Sequence, residues 1–268
     1  MTHAIDYHII DRCNLNCASC NHFCPLVPST DKGKSIEQIT ADLTLLSKVK
    51  NEFHMLNLLG GEPTLHPQLS QILRIARQIL PNNRINLITN GTKYKEFARW
   101  KDALVENKIF VYITEYPYCE DYKERIKIIE NTLHPEVEYE VKDFPIDDGF
   151  CYEFLSNRDD VATDEEMRMC ERPYHCCQLK NGKLYLCNFA AQFDYLKNYF
   201  GDEIKIEMDG KEYLDLNGEI TPQDYYDFLF CSRPAICHHC LDVHNNWCLG
   251  PKHEWSVSKK DINEWMGK

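Results

Sequence analysis

Over its first 145 residues the chain alternates short apolar runs with stretches whose apolar positions recur every three or four residues. Ile5–Ile10, Met55–Leu59, Ile85–Thr89, Ile109–Thr114 and Val137–Val141 are short and rich in β-branched or aromatic residues, the pattern of strands buried on both faces. Between them lie amphipathic segments. Ser35 with Gln38 forms a capping box, followed by Ile36, Ile39, Leu43, Leu46 and Val49 on one helical face. Leu69, Ile72, Leu73, Ala76 and Ile79 repeat that spacing until Pro81 stops it. Lys95–Glu106 and Asp121–Leu133 read as further helices. Strands alternating with helices predict right-handed βαβ units and a mainly parallel sheet, with sites built on the loops that follow the strands.

The pattern changes beyond residue 145. Gln178-Leu179-Lys180 and Lys183-Leu184-Tyr185-Leu186 flank Asn181-Gly182, a dipeptide that favours a two-residue type I′ turn. Counting back from this turn pairs 180 with 183, 179 with 184, 178 with 185, 177 with 186 and 176 with 187. Thr221-Pro222 opens a helix with Tyr225, Phe228 and Leu229 on its apolar side. Trp255, Glu264 and Trp265 belong to a C-terminal segment expected to pack aromatic rings on the body of the protein.

Composition narrows the class. With 268 residues, 43% hydrophobic and 27% charged, the chain is ordinary for a globular protein, with length for one large domain and a small appendage. No apolar run approaches the roughly 20 residues that span a bilayer, and no basic segment followed by an apolar stretch opens the chain, so a cytoplasmic protein without a membrane partner is expected. Fourteen cysteines then read as metal ligands and reduced thiols rather than disulfides. A net charge of −12 argues against nucleic acid as a partner.

Cys13, Cys17 and Cys20 form a CxxxCxxC directly after the first apolar run, and Leu59-Gly60-Gly61-Glu62-Pro63 follows the second. Three thiolates leave a fourth ligand position unfilled, whereas a structural zinc or a simple electron-transfer cluster closes its shell with four. Taken with Thr89-Asn90-Gly91-Thr92 after the third strand, these runs resemble the radical S-adenosylmethionine (SAM) superfamily, from about Ile5 to Val141. The resemblance implies an α/β fold, a partial (β/α) barrel core at 1–145 with a mainly parallel sheet. It implies a 4Fe–4S cluster on Cys13, Cys17 and Cys20 whose open iron chelates SAM. Gly60, Gly61, Glu62 and Pro63 would hold the methionine end, with Asn90 beside it. Thr114 and Glu115 would lie near the ribose, and Lys142 would either pair with the SAM carboxylate or remain solvated. Glycine suits such a turn because it permits close main-chain approach and positive φ. Ser19 stands where the family commonly has an aromatic residue, which passes adenine packing to His22 or Phe23.

A cysteine-rich β-hairpin/helix domain is expected at 146–268. Cys170, eleven residues, Gly182, four residues and Cys187, then Cys237-x-x-Cys240, resemble the Twitch domain, the short form of SPASM, which implies an auxiliary 4Fe–4S cluster on Cys170, Cys187, Cys237 and Cys240. The hairpin count instead sets Cys176 opposite Cys187 on one face, with Cys177 on the other. With Cys231 and Cys248 there are eight cysteines here, enough for two auxiliary clusters, and CxxC knuckles also suit zinc.

By resemblance the chain cleaves SAM reductively, taking electrons from an external donor such as flavodoxin or ferredoxin, and the 5′-deoxyadenosyl radical removes hydrogen from a substrate carbon. The expected reaction is oxidation or epimerisation of a sugar- or cyclitol-type small molecule. Modification of a peptide and a non-catalytic metal module are the alternatives. Cys119 and Cys151 are the candidate catalytic hydrogen donors outside the clusters. Oxidation is favoured because an auxiliary cluster supplies an electron acceptor in a chain without a nicotinamide or flavin fingerprint.

Overall fold

The computed structural model describes residues 3–116, 121–143, 155–175, 177–231, 233–241, 258 and 260–267. Its first half runs β1 (Ala4–Ile10), α1 (Ile36–Leu46), β2 (Met55–Gly60), α2 (Leu69–Ile79), β3 (Arg84–Thr89), α3 (Lys101–Glu106), β4 (Phe110–Glu115), α4 (Tyr122–Leu133) and β5 (Tyr139–Asp143). The five strands are parallel in the order β5-β4-β3-β2-β1. Each lies where its apolar run predicts, although β5 begins two residues later than Val137. The segment expected as one helix from Lys95 divides into a 3₁₀ turn at Tyr94–Arg99 and α3. The tighter turn brings residues three apart into line, which lets Phe97 and Trp100 meet edge to face at 5.5 Å inside the core. At α1 half of the capping box forms: Ser35 Oγ accepts from Gln38 N at 3.2 Å, while the Gln38 side chain donates to Asn181 Oδ1 at 2.9 Å.

The second half runs β6 (Leu155–Ser156), α5 (Asp164–Arg168), α6 (Arg172–His175), β7 (Cys177–Lys180), β8 (Lys183–Tyr185), α7 (Asn188–Phe200), β9 (Tyr213–Asp215), α8 (Pro222–Cys231), α9 (Ala235–His238), α10 (Ile262–Trp265) and β10 (Met266–Gly267). The hairpin pairs Gln178 with Tyr185, Leu179 with Leu184 and Lys180 with Lys183, the register counted from its turn. Asn181 and Gly182 both take positive φ, 53° and 71°, as a type I′ turn requires. The hairpin is not confined to an appendage. β7 lies parallel to β1, Ile5 opposite Cys177 and Tyr7 opposite Leu179, so a single eight-stranded sheet crosses the expected boundary at 145 in the order β5-β4-β3-β2-β1-β7-β8-β9. It remains open, a partial rather than a closed barrel. Among the described residues no helix is long and apolar enough to cross a membrane.

Two apolar cores sit on the sheet. The larger joins Ile5, Tyr7 and Ile9 of β1 to residues of α1, α2, α3, α4 and α8, with Cys177 fully buried in it. The smaller gathers Phe23, Leu155, Phe189, Phe193, Ile236 and Trp265. Trp265 is wholly buried and meets Phe23 edge to face at 5.8 Å, as the aromatic C-terminal segment predicts; Trp255 lies outside the described residues.

All seven residues of β1 are buried, but two positions on the face opposite Ile5 and Tyr7 are Asp6 and His8. Asp6 belongs to a polar row at one level of four adjacent strands. Asn86 donates to Asn57 at 2.7 Å, Asn57 to Asp6 Oδ1 at 2.7 Å, and Gln178 to Asp6 Oδ2 at 3.0 Å, each between register partners. Burial pushes the Asp6 carboxyl up to about 7 against the pull of these bonds. The native state therefore holds a proton that the unfolded chain releases near pH 4, and stability falls as pH rises from about 4 to 7. Urea midpoints at pH 5 and pH 8 should show roughly 2–3 kcal/mol of this loss in the wild type. Asp6→Asn should flatten it; an unchanged slope would mean that Asp6 stays ionised.

Candidate functional site

The three cysteines lie on the loop that leaves β1, and main-chain packing sets its course. Gly61 N donates to Ile10 O at 3.0 Å and Glu62 N to Arg12 O at 3.1 Å, laying the end of β2 along the start of the loop. A β-carbon on Gly60 would fall 1.8 Å from Ile10 O, and one on Gly61 2.3 Å from the Arg12 carbonyl carbon. Neither glycine has positive φ. Their requirement here is therefore steric, the close approach of two stretches of this chain, where the sequence suggested approach to a ligand and unusual φ.

Glu62 is fully buried and takes part in a dense set of bonds. Oε1 accepts from Thr64 N and Oγ1 and from Thr89 Oγ1 at 2.7 Å, and Oε2 accepts from Asn90 N at 2.8 Å. Burial pushes its carboxyl up, and these bonds oppose the shift. Pro63 opens a buried 3₁₀ turn ending at Leu65. Asn90 then reaches the cysteine loop: Nδ2 donates to Asn14 Oδ1 at 3.1 Å and lies 3.6 Å from Cys13 Sγ. The turn after β2 and the run after β3 thus both hold the loop that carries the cysteines.

The sulfurs differ in setting. Burial, followed by the charge of Glu62, pushes the Cys13 thiol well up. Cys20 is drawn down to about 7, chiefly by a bond from the Cys24 thiol and against the effect of burial. Cys24 is buried, as a small hydrophobe would be, but its thiol faces Cys20. Tyr116, just beyond β4, feels all three: burial and then the charges of Cys17, Cys20 and Cys13 push its phenol well up. No sequence signal marked Tyr116 or Cys24 for this place. Among the described residues no three His, Cys, Asp or Glu side chains gather as the shell of one metal ion. The donor set that the sequence marks at this loop is three soft sulfurs, Cys13, Cys17 and Cys20, which fits a cluster with one open iron.

Both residues expected to pack on adenine are otherwise engaged. Phe23 is fully buried in the smaller core, and His22 Nδ1 is 2.8 Å from His8 Nε2. His8 Nδ1 is in turn 2.7 Å from Asp11 Oδ1, and Tyr195 donates to Asp11 Oδ2 at 2.7 Å. Although burial works against ionisation, the bonds to His8 and Tyr195 hold Asp11 well below the usual carboxylate range. Ser19, in place of the family's aromatic residue, is buried with φ 48°. Thr114 and Glu115 close β4, where the Thr114 carbonyl accepts from Tyr122 OH at 2.7 Å. Exposed Lys142 lies over the Tyr112 ring at 4.6 Å. Cys119, Cys151, Cys176 and Cys248 lie outside the described residues.

Cys170, Cys187, Cys237 and Cys240 line one cavity, together with Leu155, Met167, Phe189, Ile236, Arg172 and Arg233. They converge from separate elements: Cys170 follows α5, Cys187 is the N-cap of α7, and Cys237 and Cys240 are in and just after α9. The chain leaves β8 at Tyr185, two residues before Cys187. Burial pushes the Cys187 thiol up to about 11 and Cys237 higher, with Arg172 pulling on the first and Arg233 on the second. Two guanidinium groups beside four sulfurs suit a buried anionic centre.

Residues 7–139 match the model of the Radical SAM superfamily, a superfamily of enzymes that use a 4Fe–4S cluster and SAM. No relative among curated proteins matches the chain. Among solved structures, BtrN in complex with AdoMet and 2-DOIA has a TM-score of 0.49 at 14% identity over 92% of each chain. The enzyme anSMEcpe with bound AdoMet gives 0.49 at 14% identity over 94% of this chain and 93% of that one. SuiB of Streptococcus suis bound to S-adenosylmethionine gives 0.35 at 14% identity, with 76% and 67% covered.

Because the Gly60–Gly61 contact shapes the loop, Gly61→Ala should cost at least about 2 kcal/mol in urea denaturation and impair iron uptake at Cys13, Cys17 and Cys20. A folded variant that loads this iron as wild type does would show that the loop accommodates the β-carbon.

Proposed function

We propose that the chain is a radical SAM oxidoreductase with a second, auxiliary 4Fe–4S cluster, and that it oxidises an alcohol carbon of a sugar- or cyclitol-type small molecule. The observation that carries this reading is the cavity lined by Cys170, Cys187, Cys237 and Cys240, four cysteines that separate elements bring to one place apart from the three-cysteine loop. When bound, the cluster at Cys13, Cys17 and Cys20 supplies the electron that cleaves SAM, and so the radical that removes hydrogen from an unactivated carbon. The chain's own part is to present three thiolates, to hold the loop through Gly60, Gly61 and Asn90, and to exclude water with the apolar wall of Phe23, Leu155 and Trp265. Gly60, Gly61, Glu62, Pro63 and Asn90 would bind the methionine end of SAM through backbone atoms and the Asn90 amide. The Glu62 carboxylate would act through the bonds that fix this turn. Thr114, Glu115 and Lys142 are assigned to the open side of the site, at the ends of β4 and β5.

Oxidation follows from what must leave the substrate after hydrogen abstraction. A proton and one electron have to depart, and a four-cysteine cluster is an acceptor for that electron. Anaerobically reconstituted protein should contain about eight irons per chain, four at each site. Removing Cys170 and Cys187 together should leave about four. Iron near four with stoichiometric zinc in the wild type would overturn the auxiliary cluster. Cys13, Cys17 and Cys20 replaced together by Ala should abolish release of 5′-deoxyadenosine while the second cluster is retained, and continued release would overturn the catalytic assignment.

Cys119 and Cys151 separate the two outcomes of the chemistry. In deuterated water, a carbonyl product with no carbon-bound deuterium and near-normal turnover in the double Ala variant is expected. An inverted product carrying one deuterium, lost when one of these cysteines is removed, would establish epimerisation instead. Turnover of a peptide in place of any sugar or cyclitol would overturn the small-molecule assignment.

A further inference from the structure

We infer that Glu264, on a C-terminal strap at 260–267, positions the Cys17–Cys20 turn and ties it to the auxiliary cysteine cavity. The inference rests on the reading of Cys13, Cys17 and Cys20 as cluster ligands and adds a residue far away in sequence that sets their geometry. Ser19 stands between Cys17 and Cys20, is wholly buried and has φ 48°. A non-glycine residue in this left-handed conformation persists only where its surroundings impose it. Both polar groups of Ser19 bond to one residue: Ser19 N donates to Glu264 Oε1 at 2.9 Å, and Ser19 Oγ donates to the Glu264 carbonyl at 2.9 Å. Glu264 is itself buried, where an ionisable side chain is retained only with partners.

The strap is anchored on both sides of this contact. Asp261 Oδ1 accepts from Asn263 N at 2.9 Å and caps α10, which fixes the approach to Glu264. Trp265, next in the chain, is fully buried against Phe23, three residues beyond Cys20, where φ is again positive at 54°. Met266 and Gly267 then pair with Leu155 and Ser156 in a parallel bridge. Leu155 forms an antiparallel bridge with Cys240 and lines the cavity with the four cysteines. Ser156 N donates to His239 O at 2.8 Å, and Nδ1 of His239 is 3.0 Å from the Ser156 carbonyl. An unbroken run of backbone bonds and packed rings therefore leads from Ser19 to Cys240. Glu264 is the member whose side chain reaches the catalytic loop.

Glu264 acts on the turn through its bonds to Ser19, so its role is positional and should be visible without any cluster. In cluster-free full-length protein, alkylation by iodoacetamide mapped by mass spectrometry reads the openness of each thiol. Glu264→Ala should speed modification of Cys17 and Cys20 about tenfold, the scale of one lost charge-assisted hydrogen bond, and leave Cys170 and Cys187 at wild-type rates. Glu264→Gln should stay near wild type, because its amide oxygen can still accept from Ser19 N. In anaerobically loaded protein, Glu264→Ala should lose iron from the first site, or lose the SAM-induced change in its electron paramagnetic resonance signal, while about four irons remain at the second. Unchanged alkylation at Cys17 and Cys20 in Glu264→Ala would overturn the inference. So would equal acceleration at every cysteine in both variants, which would make Glu264 a general stabiliser. A wild-type protein that took up no iron at the first loop would refute the radical SAM reading, with the alkylation result standing by itself.

Discussion

The close approach of Gly60 and Gly61 to the main chain of Ile10–Arg12 is the constraint from which the rest of the site follows. Parallel strands β1 and β2 pair in register from Ala4 opposite Met55 to His8 opposite Leu59, then shift so that Ile10 meets Gly60. At this irregularity the chain after β1 must turn toward the sheet instead of away from it. There is space only if the facing residues have no side chains. Any larger residue at 60 or 61 pushes the loop outward, and Cys13 is the second residue beyond Asp11, whose backbone N–H is already fixed by Asp31 Oδ2 at 3.1 Å. Glu62 extends the same constraint sideways. Its buried carboxylate fastens the turn after β2 to the end of β3, and Asn90 carries the connection back to the loop.

Much of this was legible along the chain, for reasons that particular elements make clear. β2 and β3 are short apolar runs bounded by polar turns, so their limits are local facts. The hairpin register followed from Asn181-Gly182 because a two-residue turn leaves one pairing. What was not legible was long-range. Nothing in the period of 177–180 says that β7 lies beside β1, some 170 residues earlier, since parallel pairing has no turn to fix it. The sequence accordingly assigned the hairpin to an appendage. Gln38 follows Ser35 by three residues, the spacing of a capping box, but its side chain bonds to Asn181, which that same sheet brings near. Phe23 is next to the cysteine loop in sequence, but the smaller core, closed by Trp265 from the other end of the chain, draws its ring away.

The polar interior of β1 was equally hidden. Ile5–Ile10 reads as a buried strand, and it is one, but its two faces differ in kind. Ile5, Tyr7 and Ile9 meet the helices, whereas Asp6 and His8 anchor two separate networks. Asp6 is satisfied across the sheet by Asn57 and Gln178, and His8 by Asp11 and His22 on the segment that follows β1. A buried polar group with all its bonds made restricts the arrangements a strand can adopt, because any slip in register breaks several bonds at once. The price is a set of groups that must be desolvated. That investment lies on the face that carries the loop of cysteines, where precise placement matters more than stability.

The smaller core has a place in the proposed chemistry that its size does not suggest. Cys20, Cys187 and Cys237 all pack against it, and Phe23, Leu155, Phe189 and Trp265 belong to it. Close-packed interiors neither compress nor slide freely, so groups packed against one core hold their separation. For an oxidation that must pass an electron from a substrate radical to a second centre, a fixed separation is worth more than a flexible tether, because a radical that waits for its acceptor is free to abstract hydrogen back. On this reading the cysteine-rich segment is joined to the barrel by shared packing and a shared sheet. A design in which the acceptor sat on a loosely attached domain would leave the lifetime of the radical to the motion of that domain.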